Sequence, residues 1–255
     1  MRPVQKPPPP YDVSKYPASD LLLDAIGSYC STCERRLVDW AWPWDAQRQS
    51  GFTGRTSLDA WPSLLILCGN CRDAAAAPPL TPGPLLLPDR DLTFTLSEAS
   101  PFVYALQPIQ RVFLDKGGAP EGPAETIEGV IVEGTTPAAR ATVDFFALNT
   151  AYYDATQHTL RIPRVDYESL TDRRIDARTE VWNDARTAAT QLRTVRHPAT
   201  RAALTTILRH TIEGSGCWST WATVLWRDLQ DRQLLAALLM PPEPAGPCLT
   251  RLFGA

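Results

Sequence analysis

The stretch YCSTCERRLVDWAWPWDAQRQ, residues 29–49, and the later LCGNCR, residues 67–72, decide how this chain is to be read. Each holds a pair of cysteines two residues apart: Cys30 with Cys33, and Cys68 with Cys71. Two thiolates across a tight turn converge on one metal ion, and two such knuckles complete a tetrahedral shell of four sulfurs, a donor set that suits zinc. Four protein ligands leave no open position for water, so the expected zinc is structural. The intervening 34 residues are long enough to carry a small fold between the knuckles.

Working outward, the chain has 255 residues and a net charge of −3, so no global field draws it to nucleic acid. Arginine supplies nearly all the positive charge. No apolar run approaches the ~20 residues of a membrane span, and MRPVQKPPPPYDV has no secretory signal pattern, which gives a cytoplasmic expectation with no membrane partner. In a reducing compartment, six cysteines argue against a disulfide framework. Cys217 and Cys248 lack ligand spacing and read as plain thiols.

Residues 1–19 read as a proline-rich arm that packs loosely on the domain or binds a partner. Ser19 is expected to cap a short helix, Leu21 to Ile26, that delivers the chain to Cys30. After the breaker at 74–84, LLLPDRDLTFTL reads as a turn into a strand, with Leu92, Phe94 and Leu96 on one face. FVYAL, RVFL and EGVIVEG continue as strands around a loop at 115–126. From about 136 the pattern turns helical: TTPAARATVDFFALN with its capping threonine and first-turn proline, one long helix over 166–195 with Ile175, Trp182, Ala185, Ala189 and Leu192 on one side, then helices over 198–212 and 216–240. Acids recur every four residues at Glu168, Asp172, Asp176, Glu180 and Asp184. A solvated face is the expectation, against an acidic ridge for a basic partner.

YCSTCERRL followed by LLILCGNC and LLLPDRDLTF resembles a bacterial HNH endonuclease family with two CxxC pairs, found in anti-phage defence operons, often beside an ATPase. The opening MRP, VDFFALN, the ARTEVW helix and CWSTWATVLW fit the same order. The resemblance implies an α+β protein: a zinc-stapled ββα-metal core with a mostly α-helical C-terminal region. It divides the chain into the arm at 1–19, a zinc module with following strands at 20–135, and a helical domain at 136–255. In that family a hairpin histidine is the general base, a later asparagine orients the hairpin, and the residue after the last cysteine helps hold a catalytic divalent ion.

Placed on that pattern, the histidine position falls at Asp45, the asparagine at Ser63 and the metal ligand at Arg72. The three histidines of the chain are His158, His197 and His210, so none stands near the hairpin. A carboxylate of ordinary pKa near ~3.9 is a weak base, and a fixed cation at Arg72 repels a divalent ion. The expectation is therefore a catalytically inactive protein with structural zinc, no catalytic metal and no catalytic residue. It would act as a structural or recognition subunit with protein partners, an ATPase among the candidates. Two alternatives stand beside it. An active divergent nuclease would use Asp45, Asp39, Glu34 or Asp73 to hold metal. A zinc-dependent nucleic-acid-binding module would use Arg48, Arg55 and Arg72 on one face, helped by the ten arginines against six acids in 161–209. Trp40, Trp42 and Trp44 alternate and so share one strand face, which suits core packing or a protein interface before base stacking.

Overall fold

The structure is a computed structural model, described over residues 1–2, 4, 6–8, 15–37, 41–53, 57–77, 84–91, 93–97, 99–163 and 172–239. Among these residues the fold is mixed α/β, with seven α-helices and two sheets.

The first sheet is built around the cysteine stretch. Strands β1 (Trp42–Asp45) and β2 (Ser50–Gly51) form a hairpin, and β3 (Leu64–Leu67) pairs antiparallel with β1 on its other side. All four residues of β3, LLIL, are buried, because both faces of the strand are covered. Leu64 and Ile66 face helix α1 (Ala18–Ile26) and Trp61, while Leu65 and Leu67 join the main core. Helix α2 (Gly69–Ala76) begins at the second knuckle and lies against all three strands. Helix α1 starts one residue before Ser19, with Pro17 at its N-cap, and Ser19 Oγ bonds to Asp20 instead of capping.

The second sheet has the order β5-β4-β7-β6. FVYAL and RVFL fuse into one strand, β4 (Phe102–Leu114), paired antiparallel with β5 (Glu125–Gly134). Helix α3 (Pro137–Phe145) follows with the expected cap: Thr136 Oγ1 accepts from Ala139 N, and Pro137 opens the first turn. Then come β6 (Tyr153–Asp154) and β7 (Thr159–Pro163), which the sequence reading did not anticipate. β7 runs parallel to β4, so the C-terminal half completes the second sheet rather than standing apart as helices. Residues 93–97 form no strand. Thr93, Phe94 and Thr95 are buried, and the threonine hydroxyls serve the loop: Thr93 Oγ1 donates to Met1 O and Thr95 Oγ1 shares a hydrogen bond with Ser97 Oγ.

The long helix is α4 (Arg174–Thr194); Asp172 and Arg173 before it are not helical, and the earlier part of the expected 166–195 helix, with Glu168, lies outside the described residues. Its apolar side, with Ile175, Trp182, Ala185, Ala189 and Leu192, is buried as the periodicity demands. The acidic repeat is largely answered by arginine: Asp176 and Glu180 both pair with Arg173. Helix α5 (Pro198–Ser215) follows. The 216–240 segment is two helices, α6 (Trp218–Leu229) and α7 (Arg232–Leu239). Gln230 takes a left-handed conformation at φ 51, and Asp231 caps α7 through Leu234 N at 3.0 Å. One apolar core runs from Met1 and the cysteines through β4, β5 and α3 to α4, α6 and α7, crossing the expected boundary at 135/136.

The described residues at the start of the arm, Met1 to Pro7, are packed, while Pro8 and 15–17 are exposed. Lys6 Nζ donates to three carbonyls, Trp61 O, Pro62 O and Leu64 O, at 2.6–2.9 Å, and Trp61 Nε1 donates to Pro7 O. Residues 9–14, where partner binding would be sought, lie outside the described residues.

Candidate metal centre

The first knuckle is shaped by backbone hydrogen bonds. Glu34 N donates to Cys30 O, and Cys30 N to Arg35 O, so the chain folds back across Cys30–Cys33. Glu34 takes φ 62 to make the turn. The second knuckle sits at the N-terminus of α2, where Arg72 N donates to Cys68 O. The two are tied together three ways: Ser31 N to Ile66 O, Ile66 N to Ser31 Oγ, and Arg35 Nη2 to Asn70 Oδ1 at 2.8 Å.

All four cysteines are buried, and their sulfurs lie within 4.8 Å of one another. Cys33 Sγ and Cys68 Sγ are 3.7 Å apart. A tetrahedral shell with Zn–S near 2.3 Å places sulfurs about 3.8 Å apart, so the cage matches zinc in size and donor type. Four cysteines this close can hold a metal ion, and among the described residues they are the one such cluster of cysteine, histidine and acid. The crowding polarises the thiols. Burial raises the Cys30 thiol, but hydrogen bonds from Cys33, Cys68, Cys71 and Thr32 outweigh it and hold it well below its usual value. Cys33 and Cys71 are pushed well above theirs, first by their hydrogen bonds to Cys30. Cys30 pushes the Cys68 thiol up, but hydrogen bonds from Cys33 and Cys71 outweigh this and hold it below its usual value, and a metal cation takes over the task of the protons shared within the cage.

The three positions that the sequence resemblance singled out, Asp45, Ser63 and Arg72, each have a structural role. Asp45 is buried at the end of β1, where Oδ1 accepts from Gln47 N at 2.9 Å and Arg48 N at 3.3 Å and closes the hairpin turn. Ser63 stands beside it: its carbonyl accepts from Ala46 N, and its hydroxyl donates to Ala60 O. Arg72 lies over the Trp42 ring, 4.0 Å from its centroid, and pairs with Asp73. Trp44, two residues on, is buried against Phe145 and Phe146. Trp42 is half exposed under Arg72, and Trp40 lies outside the described residues.

Among the described residues, the acids named for an active nuclease do not converge. Glu34 turns away from the cage: its carboxylate accepts from Ser219 N and Oγ at the start of α6 and from Arg2 N. Asp73 is exposed with Arg72. Asp39 and Arg55 lie outside the described residues. Of the arginines proposed for phosphate, Arg48 pairs with Asp45 and Arg72 with Asp73.

Two further buried arginines stand near the cage on α4. Arg174 Nη1 reaches Cys71 Sγ at 3.5 Å and Phe146 O at 2.8 Å, while Nε and Nη2 grip Asp172 at 2.7 and 2.6 Å. One turn on, Arg178 donates to Val130 O, Leu148 O and Asn149 Oδ1. In the sequence both look like any solvated helical arginine. Their only trace is their i, i+4 spacing on the side that carries Ile175 and Trp182.

No helix among the described residues is long and apolar enough to cross a membrane. Comparison with known proteins finds no matching family model, no similar curated protein and no similar solved structure.

Proposed function

We propose that this chain is a zinc protein built on the HNH-nuclease plan whose catalytic set has been replaced, and that it serves as a structural or recognition subunit of a larger assembly. One observation carries the reading. Asp45, Ser63 and Arg72, which stand where the resemblance places the catalytic histidine, the asparagine and the metal ligand, are respectively a turn cap, a sheet-end linker and a cation stacked on Trp42. None is disposed to activate water or hold a second ion. The hairpin β1–β2 with α2 against it, between two cysteine knuckles, supports the ββα part of the reading. The donor set and its 3.7 Å sulfur contact support zinc. Recognition falls to the surface, and the assembly proposed for it is one of prokaryotic defence, with an ATPase among the candidate partners.

The test uses purified full chain. Metal content is measured, and supercoiled plasmid and oligonucleotides are offered with Mg²⁺, Mn²⁺ or Ni²⁺. About one zinc per chain and no cleavage are expected. Metal-dependent cleavage that Asp45→Ala abolishes overturns the reading. The subunit part is tested by the size of the native species in its own cells: a species larger than the chain alone is expected, and a lone monomer overturns it.

A further inference from the structure

We propose that Arg174 and Arg178 are the counter-charges of the metal centre, and that metal loading is thereby coupled to the seating of α4. The inference rests on the four-cysteine metal reading and goes beyond it.

Four thiolates around one divalent ion carry two surplus negative charges, buried where desolvation is costly. Something must offset them. Arg174 is buried and touches the cage itself, with Nη1 3.5 Å from Cys71 Sγ. Its orientation is fixed from both sides: Asp172 holds one edge through two hydrogen bonds, and Phe146 O shares the other with the sulfur. A guanidinium held this way is a second-sphere donor of the kind that keeps a ligand in place.

Because the buried Asp172 carboxylate, 2.6 Å from Arg174 Nη2, cancels one positive charge, the balance also needs Arg35 and Arg178. Arg178 is as buried as Arg174, yet the groups it donates to, Val130 O, Leu148 O and Asn149 Oδ1, are all neutral. A buried cation on neutral acceptors alone is expensive. Burial holds the Arg178 guanidinium below its usual value, with Cys217, Tyr104 and Cys33 opposing that, and a cage with surplus negative charge beside Arg174, one turn of helix away, offsets the cost of burial. Arg35 completes the arrangement from the module side, leaning across to Asn70 between the second pair of cysteines.

The first knuckle grips the helical half too. Cys217 N donates to Glu34 O, and the Glu34 carboxylate caps α6. The cage thus stands at the joint where α4 and α6 meet the first sheet, and removing the metal is expected to loosen the joint rather than the knuckles alone.

The experiment compares full-length wild type, Arg174→Met and Arg174→Lys. Zinc retention is measured against a chelator, and the cobalt-substituted proteins are compared by their thiolate charge-transfer absorption. Arg174→Met is expected to release zinc about 10–100-fold more readily and to shift the cobalt band, with Arg174→Lys restoring part of both. Unchanged retention and an unchanged band in Arg174→Met overturn the proposal. If that variant does not fold, hydrogen exchange of wild type with and without metal decides. Lost protection reaching the first turns of α4 and α6 supports the coupling; loss confined to 29–36 and 66–76 overturns it. A wild type that binds no zinc or cobalt at all removes the metal reading itself, an outcome distinct from a metal-loaded protein indifferent to Arg174.

Discussion

Glu34 and Ser219, 185 residues apart, form a buried polar contact between the two halves of the chain: the Glu34 carboxylate accepts from Ser219 N at 2.7 Å and Ser219 Oγ at 2.6 Å. The residue beside a cage cysteine is therefore the N-terminal cap of α6, and its negative charge sits at the positive end of that helix. Glu34→Ala is expected to cost about 3 kcal/mol, read as a lower urea midpoint. Glu34→Gln, which keeps one acceptor oxygen, should lose less. Equal stability of both variants and wild type would show that the cap contributes nothing.

Cys33→Ser opens the cage. Its sulfur lies 3.7 Å from Cys68 Sγ, so an oxygen there breaks the four-sulfur shell. A loss of more than about 4 kcal/mol is expected, together with loss of bound zinc on elemental analysis. A variant that melts with wild type and keeps its zinc contradicts the structural role.

Asn149 acts as a substitute strand. Its side chain accepts from Val132 N and donates to Val132 O, both at 2.8 Å, on the outer edge of β5. Two residues earlier on that edge, Thr179 Oγ1 and Arg178 Nε serve Val130 N and O. Asn149→Leu leaves two buried backbone groups of Val132 unpaired, at about 1–3 kcal/mol each. Thermal unfolding measures the loss, and a drop no larger than that of a surface substitution refutes the assignment.

Arg72→Ala tests the opposite extreme. The Arg72–Trp42 stack is partly exposed, and a cation–π contact of that kind contributes about 0.5–1 kcal/mol. A small fall in stability, a change in Trp42 fluorescence and no effect on metal content are expected. A severe loss of metal would instead place Arg72 among the groups supporting the cage.

Cys217 gives a pH dependence of known sign. Burial pushes its thiol from 9.0 up to about 12, and burial also holds the Tyr104 hydroxyl well above its usual value. The folded state therefore retains protons that the unfolded state has lost, so the contribution to stability is full below about pH 9 and is lost as pH rises toward 12. Lys6, held down at about 8 by burial, acts with the opposite sign over part of that window. The difference between wild type and Cys217→Ala, followed by urea unfolding from about pH 8 to pH 11, isolates the thiol: the wild type should lose stability more steeply. Parallel curves would deny Cys217 this role. Native Cys217 should also resist alkylation at neutral pH.

What was legible in the sequence was local. The cysteine pairs announce themselves because two ligands from each knuckle lie within one turn of chain, and the Thr136–Pro137 cap because its partners are three residues away. The apolar side of α4 followed from its period. What failed needed distant partners. TLRIP at 159–163 is a short strand whose parallel neighbour, β4, lies some fifty residues earlier, with no hairpin turn to signal the pairing. LTFTL alternates as a strand should, but its threonines bond within the loop and to Met1. The break at Gln230 was hidden inside an otherwise continuous helical pattern, although Asp231 was a usable capping signal. At the site, the cage was readable; its arginines were not, because burial of Arg174 and Arg178 depends on where α4 docks.

The span between Cys71 and Arg174 also sets a clock. The second knuckle leaves the ribosome 103 residues before the arginine that touches it, and Glu34 emerges 185 residues before Ser219. At translation speeds of about 5–20 residues per second those gaps are roughly 5–20 s and 10–40 s. For that interval a nascent chain presents four thiols and a carboxylate with no helix to meet them. Early capture of the metal during synthesis would protect those sulfurs from oxidation and hold the first sheet ready for the second half to close on it.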